Sequence, residues 1–438
     1  MYSDNVIMML SKKGISIGDV VEIEHNGRTY RGILLESPST QPTDTLLLKL
    51  PNGYNVGIKA SESIRLCERH GKDGQKAVAK AAGRGDAPAV ALMFGGTISS
   101  KVEYKTGAVF PSTTPEEFAS AFPEAAGKCS FRGVTSILSE DVRQEHWRIM
   151  GEEIYGALKD GKGVVATHGT DTLGYSAAAV SFMISNPVRP VVFTGAQRSS
   201  DRGSSDNKEN FLNSLEYALN GRPGVFVCMH STTNDGRCDV HLGTRVRKMH
   251  TSRRDAFKSI NARPVASVGG GRIVYNWDYA PREGKMELNS KFSDNVALVW
   301  VHPGIKPKFI SGLSEYDGVV LAGTGMGHVP TNPFGDSNAV PIIKEIEGLV
   351  RSGVVVVIAP QTLYGRINLN VYTAGRMLQE AGVIGHLCDW LPETAFVKLC
   401  WALGQSKDAK KVREIMLTNY AGELSQASGP DLFYEEIF

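Results

Sequence analysis

Gly163-Val164-Val165-Ala166-Thr167 leads through His168-Gly169-Thr170-Asp171-Thr172 into Leu173-Gly174-Tyr175-Ser176-Ala177-Ala178-Ala179. An unbroken β-forming run, a short polar loop and an alanine-rich segment make one strand-loop-helix unit, and runs that are apolar throughout belong to strands covered on both faces. The same kind of run recurs at 89–94 (AVALMF), 190–195 (PVVFTG), 224–229 (GVFVCM), 318–323 (GVVLAG) and 354–359 (VVVVIA), with a helix expected over 172–184. The pattern predicts an α/β protein built on mainly parallel sheet. Residues 272–292 turn polar and hairpin-like, so a second α/β unit is expected to begin near 293.

Upstream the text is different. Short β-rich runs are broken at Asn26-Gly27 and Asn52-Gly53, the dipeptide that favours tight hairpin turns. Four or five strands in so little chain predict a small all-β, SH3-like barrel over 1–72. Residues 73–87, rich in Gly, Ala and charge, read as a linker. The expected division is therefore 1–72, linker 73–87, a larger α/β domain 88–292 and a smaller one 293–438, which suits a chain of 438 residues, too long for one growing core.

Composition narrows the function. Apolar residues make up 42% and charged residues 21%, and no apolar run is long enough to cross a bilayer as a helix. The start, MYSDNVIMMLSKKG, does not read as a secretory signal, so a cytoplasmic protein is expected. Cys67, Cys129, Cys228, Cys238, Cys388 and Cys400 are scattered without a CxxC pair, which argues against a zinc ribbon or disulfide framework and for reduced, mostly buried thiols. A net charge of +2 does not announce a nucleic-acid surface.

In open α/β sheets ligands sit at the carboxyl ends of strands. Two loops there stand out: Phe94-Gly95-Gly96-Thr97-Ile98, where paired glycines permit a tight turn beneath a hydroxyl, and the 167–172 loop. Either alone is an ordinary helix-capping turn; the two together point to chemistry. Other features carry less. Residues 268–273 (VGGGRI) and 323–327 (GTGMG) complete neither dinucleotide nor phosphate loop. His168 and His250 lack metal-ligand spacing, so no metal is expected. The polar stretch 195–206 suits a lid or an interface. The stretch VRKMHTSRRDAFKS offers two lysines, Lys248 and Lys258.

The two loops, about seventy residues apart, resemble the paired signatures of the L-asparaginase family. The resemblance implies Thr97 as nucleophile on a side-chain amide, Tyr104 as a mobile helper, and Thr170, Asp171 and a lysine as the group that takes the hydroxyl proton. Set against the family's K-x-x-T-x-x-x-x-x-F-K-S pattern, Lys248 takes the catalytic position. The resemblance further implies substrate contacts from Ser139, Asp171 and Gly96. Amide hydrolysis needs such a set: a nucleophile, a proton acceptor that later donates, and donors for the oxyanion. A lysine whose burial lowers its pKa would serve as acceptor, and amides opening the helix after 172 as oxyanion donors. Two departures, Met93-Phe94 before the glycine pair and Met326 where many asparaginases carry Asn, bear on amide preference.

A stand-alone asparaginase does not need a leading β unit. Together with KMHTSRRDAFKSIN (248–261) and YGRINLNVYTAGR (364–376) it resembles, over essentially the whole chain, the asparaginase-like subunits of archaeal-type Glu-tRNA(Gln) amidotransferases. That resemblance implies glutamine or asparagine as amide donor, a homodimeric core in a heterotetramer with a GatE-like subunit, and contact with Glu-tRNA(Gln) mainly through that partner. No cofactor is implied in this chain, ATP and Mg residing on the partner. The alternatives are a free-standing L-asparaginase with an accessory domain and a catalytically silent assembly subunit.

Overall fold

The computed structural model describes residues 1–37, 41–50, 55–69, 87–96, 100–102, 109–111, 114–198 and 205–429. The expected Asn52-Gly53 turn, residues 73–86 of the expected linker, Thr97 with Ile98, and Tyr104 lie outside them.

The chain opens with helix α1 (Asp4–Lys12), then β1 (Val20–His25), β2 (Arg28–Leu35), β3 (Thr45–Lys49), β4 (Asn55–Lys59) and β5 (Arg65–Glu68) in an antiparallel sheet of order β4-β3-β2-β1-β5. Asn26 and Gly27, joining β1 to β2, both take positive φ, 49° and 69°, as a type I′ turn requires. Val6 and Leu10 of α1 pack with Val21, Ile23, Leu34 and Leu46. The helix corrects the all-β expectation. Its run Val6-Ile7-Met8-Met9-Leu10 shows no amphipathic period in sequence, since Ile7 and Met8 are apolar yet exposed and only the i, i+4 pair is buried.

The middle of the chain runs β6 (Ala89–Gly95), the hairpin β7 (Ser100–Val102) and β8 (Val109–Pro111), α2 (Pro115–Ala121), β9 (Cys129–Ile137), α3 (Gln144–Lys159), β10 (Gly163–Thr167), α4 (Leu173–Met183), β11 (Ile184–Ser185), β12 (Pro190–Thr194), α5 (Asn207–Asn220), β13 (Gly224–His230), β14 (Cys238–Leu242), β15 (Val246–Lys248), β16 (Phe257–Ser259), β17 (Ala266–Gly269), β18 (Arg272–Tyr275) and β19 (Glu287–Leu288). Its main sheet has the order β18-β17-β14-β13-β12-β10-β6-β9. Strands β9, β6, β10, β12 and β13 are parallel, whereas β14, β17 and β18 are antiparallel. The sheet is therefore mixed: five parallel strands answer the expectation of mainly parallel sheet, and three antiparallel strands at one edge correct that of a wholly parallel core. Turns at Gly236 and at Gly270-Gly271, all at positive φ, reverse the chain here; β17 alternates buried with half-buried residues and β18 exposed with half-buried ones, as one-sided strands do. The VGGGRI stretch is one of these hairpin turns.

Alternation along β6 splits the core. Val90, Leu92 and Phe94 face α3 and α4; Ala89, Ala91 and Met93 face Phe118 of α2 and Phe211 and Leu215 of α5. In chain order the parallel strands stand 2-1-3-4-5, so the strand order reverses between β6 and β10, where a crevice opens at the carboxyl ends.

A second, three-stranded parallel sheet, β20 (Val296–Trp300), β21 (Gly318–Gly323) and β22 (Val355–Pro360), is covered by α6 (Pro307–Ser311), α7 (Ile343–Arg351), α8 (Thr373–Glu380), α9 (Pro392–Gln405) and α10 (Ala409–Leu417). Helix α9 belongs to both cores: Val397 and Trp401 pack with α4, Leu399 and Leu403 with β21 and β22. Of two buried ion pairs, Arg245–Asp389 fastens the join and Lys398–Glu423 ties α9 to the chain after α10. Arg245 meets Asp389 at 3.2 Å, and Lys398 meets Glu423 at 2.6 Å with both side chains fully buried. Lys398 also donates to the carbonyls of Met416 and Thr418 at 2.7 and 2.6 Å, while Glu423 accepts the Tyr420 and Ala421 amides. Cys67 is exposed and the other five cysteines are buried, all free; among the described residues no helix is long and apolar enough to cross a membrane.

Removing one partner of such a pair strands a buried charge, which costs about 3–5 kcal/mol. Glu423→Gln is accordingly expected to lower the calorimetric melting temperature, and adding Lys398→Met to recover part of the loss; an unchanged melting temperature in the single variant would contradict this.

Candidate active site

The crevice is built first from backbone. Gly95 and Gly96 end β6 at φ 99° and 88°, and a Cβ on Gly96 would stand 2.4 Å from the Gly169 amide nitrogen. Gly169 in turn leaves no room against Ser139, whose Cβ would lie 2.6 Å from its own. Three segments, ending β6, following β9 and following β10, are thus held against one another by the absence of side chains. Thr172 fastens the last two by donating its hydroxyl to the Ser139 carbonyl at 2.6 Å.

His168 sets the loop from below. It is buried between the sheet and α4, and its Nδ1 lies 2.7 Å from the Gly169 carbonyl. A carbonyl only accepts, so Nδ1 carries the proton and Nε2 accepts from Ser176 Oγ at 2.9 Å. Ser176 Oγ receives Trp147 Nε1–H at 3.1 Å. The chain of donors is complete with a neutral ring, and burial pushes the His168 pKa down to about 4. His168 is therefore a positioning residue behind Gly169-Thr170, a part that spacing along the chain did not suggest. A histidine inside the loop, directly after an unbroken β-forming run, was the available signal.

Above this floor, Thr170 is buried and Asp171 exposed. Lys248 reaches both: its Nζ is 2.9 Å from Thr170 Oγ1 and 2.8 Å from Asp171 Oδ1. The hairpin of β15 and β16 explains why this lysine does so. Arg247 and Lys258 are register partners and Lys248 pairs with Phe257; Arg247 turns to Glu393 of α9 at 3.4 Å, and Lys258 donates to the Ser231 carbonyl at 3.0 Å. Lys258 is thus engaged elsewhere, and Lys248 is the lysine of the crevice.

The structure brings together Gly96, Ser139, Thr170, Asp171 and Lys248; Thr97, the residue after Gly96, and Tyr104 lie outside the described residues. His250 accepts the amides of Ser252 and Arg253 at 3.0 and 3.1 Å and so shapes its own turn. GTGMG is also a turn, with Gly325 and Gly327 at positive φ and Thr324 bonded to His328. The polar stretch after Gly195 begins on the buried Asp206 carboxylate, which accepts the Gln197 and Arg198 amides at 3.0–3.1 Å.

Comparison with known proteins gives three family matches: asparaginase, N-terminal, over residues 90–281; glutaminase/asparaginase C-terminal domain over 295–416; and GatD N-terminal domain over 15–66. The chain is 43% identical to the D subunit of glutamyl-tRNA(Gln) amidotransferase from Pyrococcus furiosus, covering 97% of this chain and 98% of the relative. It is 45% identical to the same protein from Pyrococcus abyssi, covering 95% and 96%. Among solved structures, the thermostable L-asparaginase from Thermococcus kodakarensis is similar with a TM-score of 0.70 and 31% identity, over 77% of this chain and 99% of that one.

A positioned proton acceptor contributes about 10²–10⁴-fold, so Lys248→Met is expected to lower kcat for amide hydrolysis by that order while Lys258→Met leaves it little changed; equal losses in both would contradict the assignment. The folded His168 titrates at about 4 against 6.5 ordinarily, so on acidification the unfolded chain takes the proton first. The stability due to a neutral buried His168 is full above pH 6.5 and is lost toward pH 4, a span worth about 3 kcal/mol. Urea unfolding across that interval should show a shallower loss in His168→Gln; an identical pH dependence would refute the claim.

Proposed function

The chain belongs to the family of glutamyl-tRNA(Gln) amidotransferase D subunits, and from that premise we propose that it hydrolyses a side-chain carboxamide and supplies the ammonia to a partner subunit that converts Glu-tRNA(Gln) to Gln-tRNA(Gln). The observation that carries the chemistry is Lys248 Nζ hydrogen-bonded to both Thr170 and Asp171, in the crevice where the strand order reverses.

In this reading Thr97 Oγ attacks the amide carbon and gives its proton toward the Thr170–Lys248 pair, with Tyr104 assisting. Asp171 keeps Lys248 in place and offsets its charge as protons pass. A hydroxyl is a poor nucleophile without such a partner. The tetrahedral oxyanion faces backbone N–H groups, including those that open α4. Its collapse returns the proton to the leaving nitrogen, frees ammonia and leaves an acyl ester on Thr97, which water then hydrolyses to regenerate the hydroxyl. Ser139, Asp171 and Gly96 hold the α-carboxylate and α-amino groups of the donor, glutamine or asparagine.

The remaining parts of the assembly belong to the same reading. The N-terminal strands form an SH3-like barrel, the asparaginase-like core is a homodimer within a heterotetramer, and a GatE-like subunit holds ATP and Mg and makes most of the tRNA contact. The reaction runs in the cytoplasm.

The test is ammonia release from glutamine and from asparagine, with and without the co-purified partner, Glu-tRNA(Gln) and ATP. The proposal expects slow release by the chain alone, acceleration in the complete system, and Gln-tRNA(Gln) as product. A full rate alone, unchanged by the complete system and without Gln-tRNA(Gln), would instead establish a free-standing asparaginase; no turnover under either condition would establish a silent subunit.

A further inference from the structure

Strand β13 ends at the same edge of the sheet in His230, whose side chain is completely buried. Asn210 fixes the state of its ring. Asn210 Nδ2 donates to the Gly195 carbonyl and to Asp206 Oδ2, both at 2.9 Å, so Asn210 Oδ1 is the acceptor turned toward His230. That oxygen takes the His230 backbone amide at 3.0 Å and ring Nδ1 at 2.6 Å. Nδ1 therefore carries a proton, and a neutral ring presents a bare lone pair at Nε2. Among the described residues Nε2 has no hydrogen-bond partner. It faces two carboxylates, Glu209 Oε2 at 3.5 Å and Asp235 Oδ1 at 3.6 Å.

A lone pair aimed between two anionic oxygens is unfavourable unless a positive centre sits among them. Arg254 offsets the charge of Asp235, which leaves the Nε2 lone pair itself to be met by a proton or by a metal cation. Separations of 3.5 and 3.6 Å exceed a good N–H···O hydrogen bond. They approach the edge of a tetrahedron around zinc, where bonds of about 2.0–2.2 Å set neighbouring ligand atoms roughly 3.3–3.5 Å apart. The three ligand atoms all lie within 4.8 Å of one another. The surroundings are those a ligated histidine requires, with the opposite ring N–H donated to a fixed oxygen. Both carboxylates are oriented too: Glu209 Oε2 accepts the Gly236 amide at 2.7 Å, and Asp235 Oδ1 is paired with Arg254.

We propose that Glu209, His230 and Asp235 bind one divalent transition-metal cation of the zinc class. One imidazole nitrogen with two carboxylate oxygens is a mixed donor set suited to such an ion. The ion ties the first turn of α5 to the end of β13 and to the turn that follows. That turn begins at Ser231, whose carbonyl anchors Lys258 in the strand paired with the one that carries Lys248. The site is thus a brace beside the catalytic hairpin, outside the crevice.

The full-length chain with Cys67→Ser, which removes the exposed thiol, is stripped with chelator and titrated with Zn²⁺ alone by calorimetry, then with Co²⁺ by visible absorption. The expected result is one ion per chain with Co²⁺ bands of a four-coordinate site. Asp235→Asn, at a largely exposed carboxylate, and Glu209→Gln are each expected to weaken binding at least about tenfold. No binding, or stoichiometric binding that both variants leave unchanged, would overturn the proposal and leave a proton on Nε2 as the balancing charge.

Discussion

Between Gly96 and Gly169 there is no space for one carbon atom, since a Cβ on the first would fall 2.4 Å from the amide nitrogen of the second. This contact joins the ends of β6 and β10, the two strands between which the sheet's order reverses, and everything in the crevice is positioned from it. Glycine is needed for the positive φ and for the lack of a side chain together. Gly169 against Ser139 repeats the device one strand further along. A substitution at either glycine would separate the end of β6 from the Thr170 loop without touching a polar atom of the site.

The polar groups are held just as closely. Trp147, Ser176 and His168 form a donor chain ending on the Gly169 carbonyl, fully paired while the imidazole is neutral. On the opposite side, β15 divides three tasks among consecutive residues: Val246 enters the core, Arg247 meets Glu393, and Lys248 reaches Thr170 and Asp171. Helix α9 receives Arg247 and also carries Lys398, whose buried partner Glu423 secures the chain that follows α10. The smaller domain thus supports the lysine of the crevice from behind.

Much of this was legible in the sequence. Strands at 163–167 and 318–323 coincide with the runs read there, because strands buried on both faces leave continuous apolar text. Strand β9 and helix α1 were not read. Residues 129–137 are partly exposed and mix polar with apolar side chains, and α1 hides two buried residues among exposed apolar ones. Of the three antiparallel strands of the main sheet, β14 and β17 were not read and β18 fell in the stretch read as hairpin-like, because a hairpin is decided by turn glycines such as Gly236 and not by hydrophobicity. Pattern alignment singled out Lys248 over Lys258, whereas the residues alone left both open; strand alternation in the hairpin supplies the physical reason that only one faces Thr170. The cluster of Glu209, His230 and Asp235 had no signature, since its members come from a helix, a strand end and a turn.

The central claim is that the hydroxyl following Gly96 forms the acyl intermediate while Thr170 and Lys248 manage its proton. The most direct measurement is acid-quenched peptide mass spectrometry of the unaltered enzyme during turnover of glutamine in the complete system, with fragmentation locating the ester. The account predicts an adduct of glutamine less ammonia on Thr97. An adduct on Thr170 with Thr97 unmodified would contradict it.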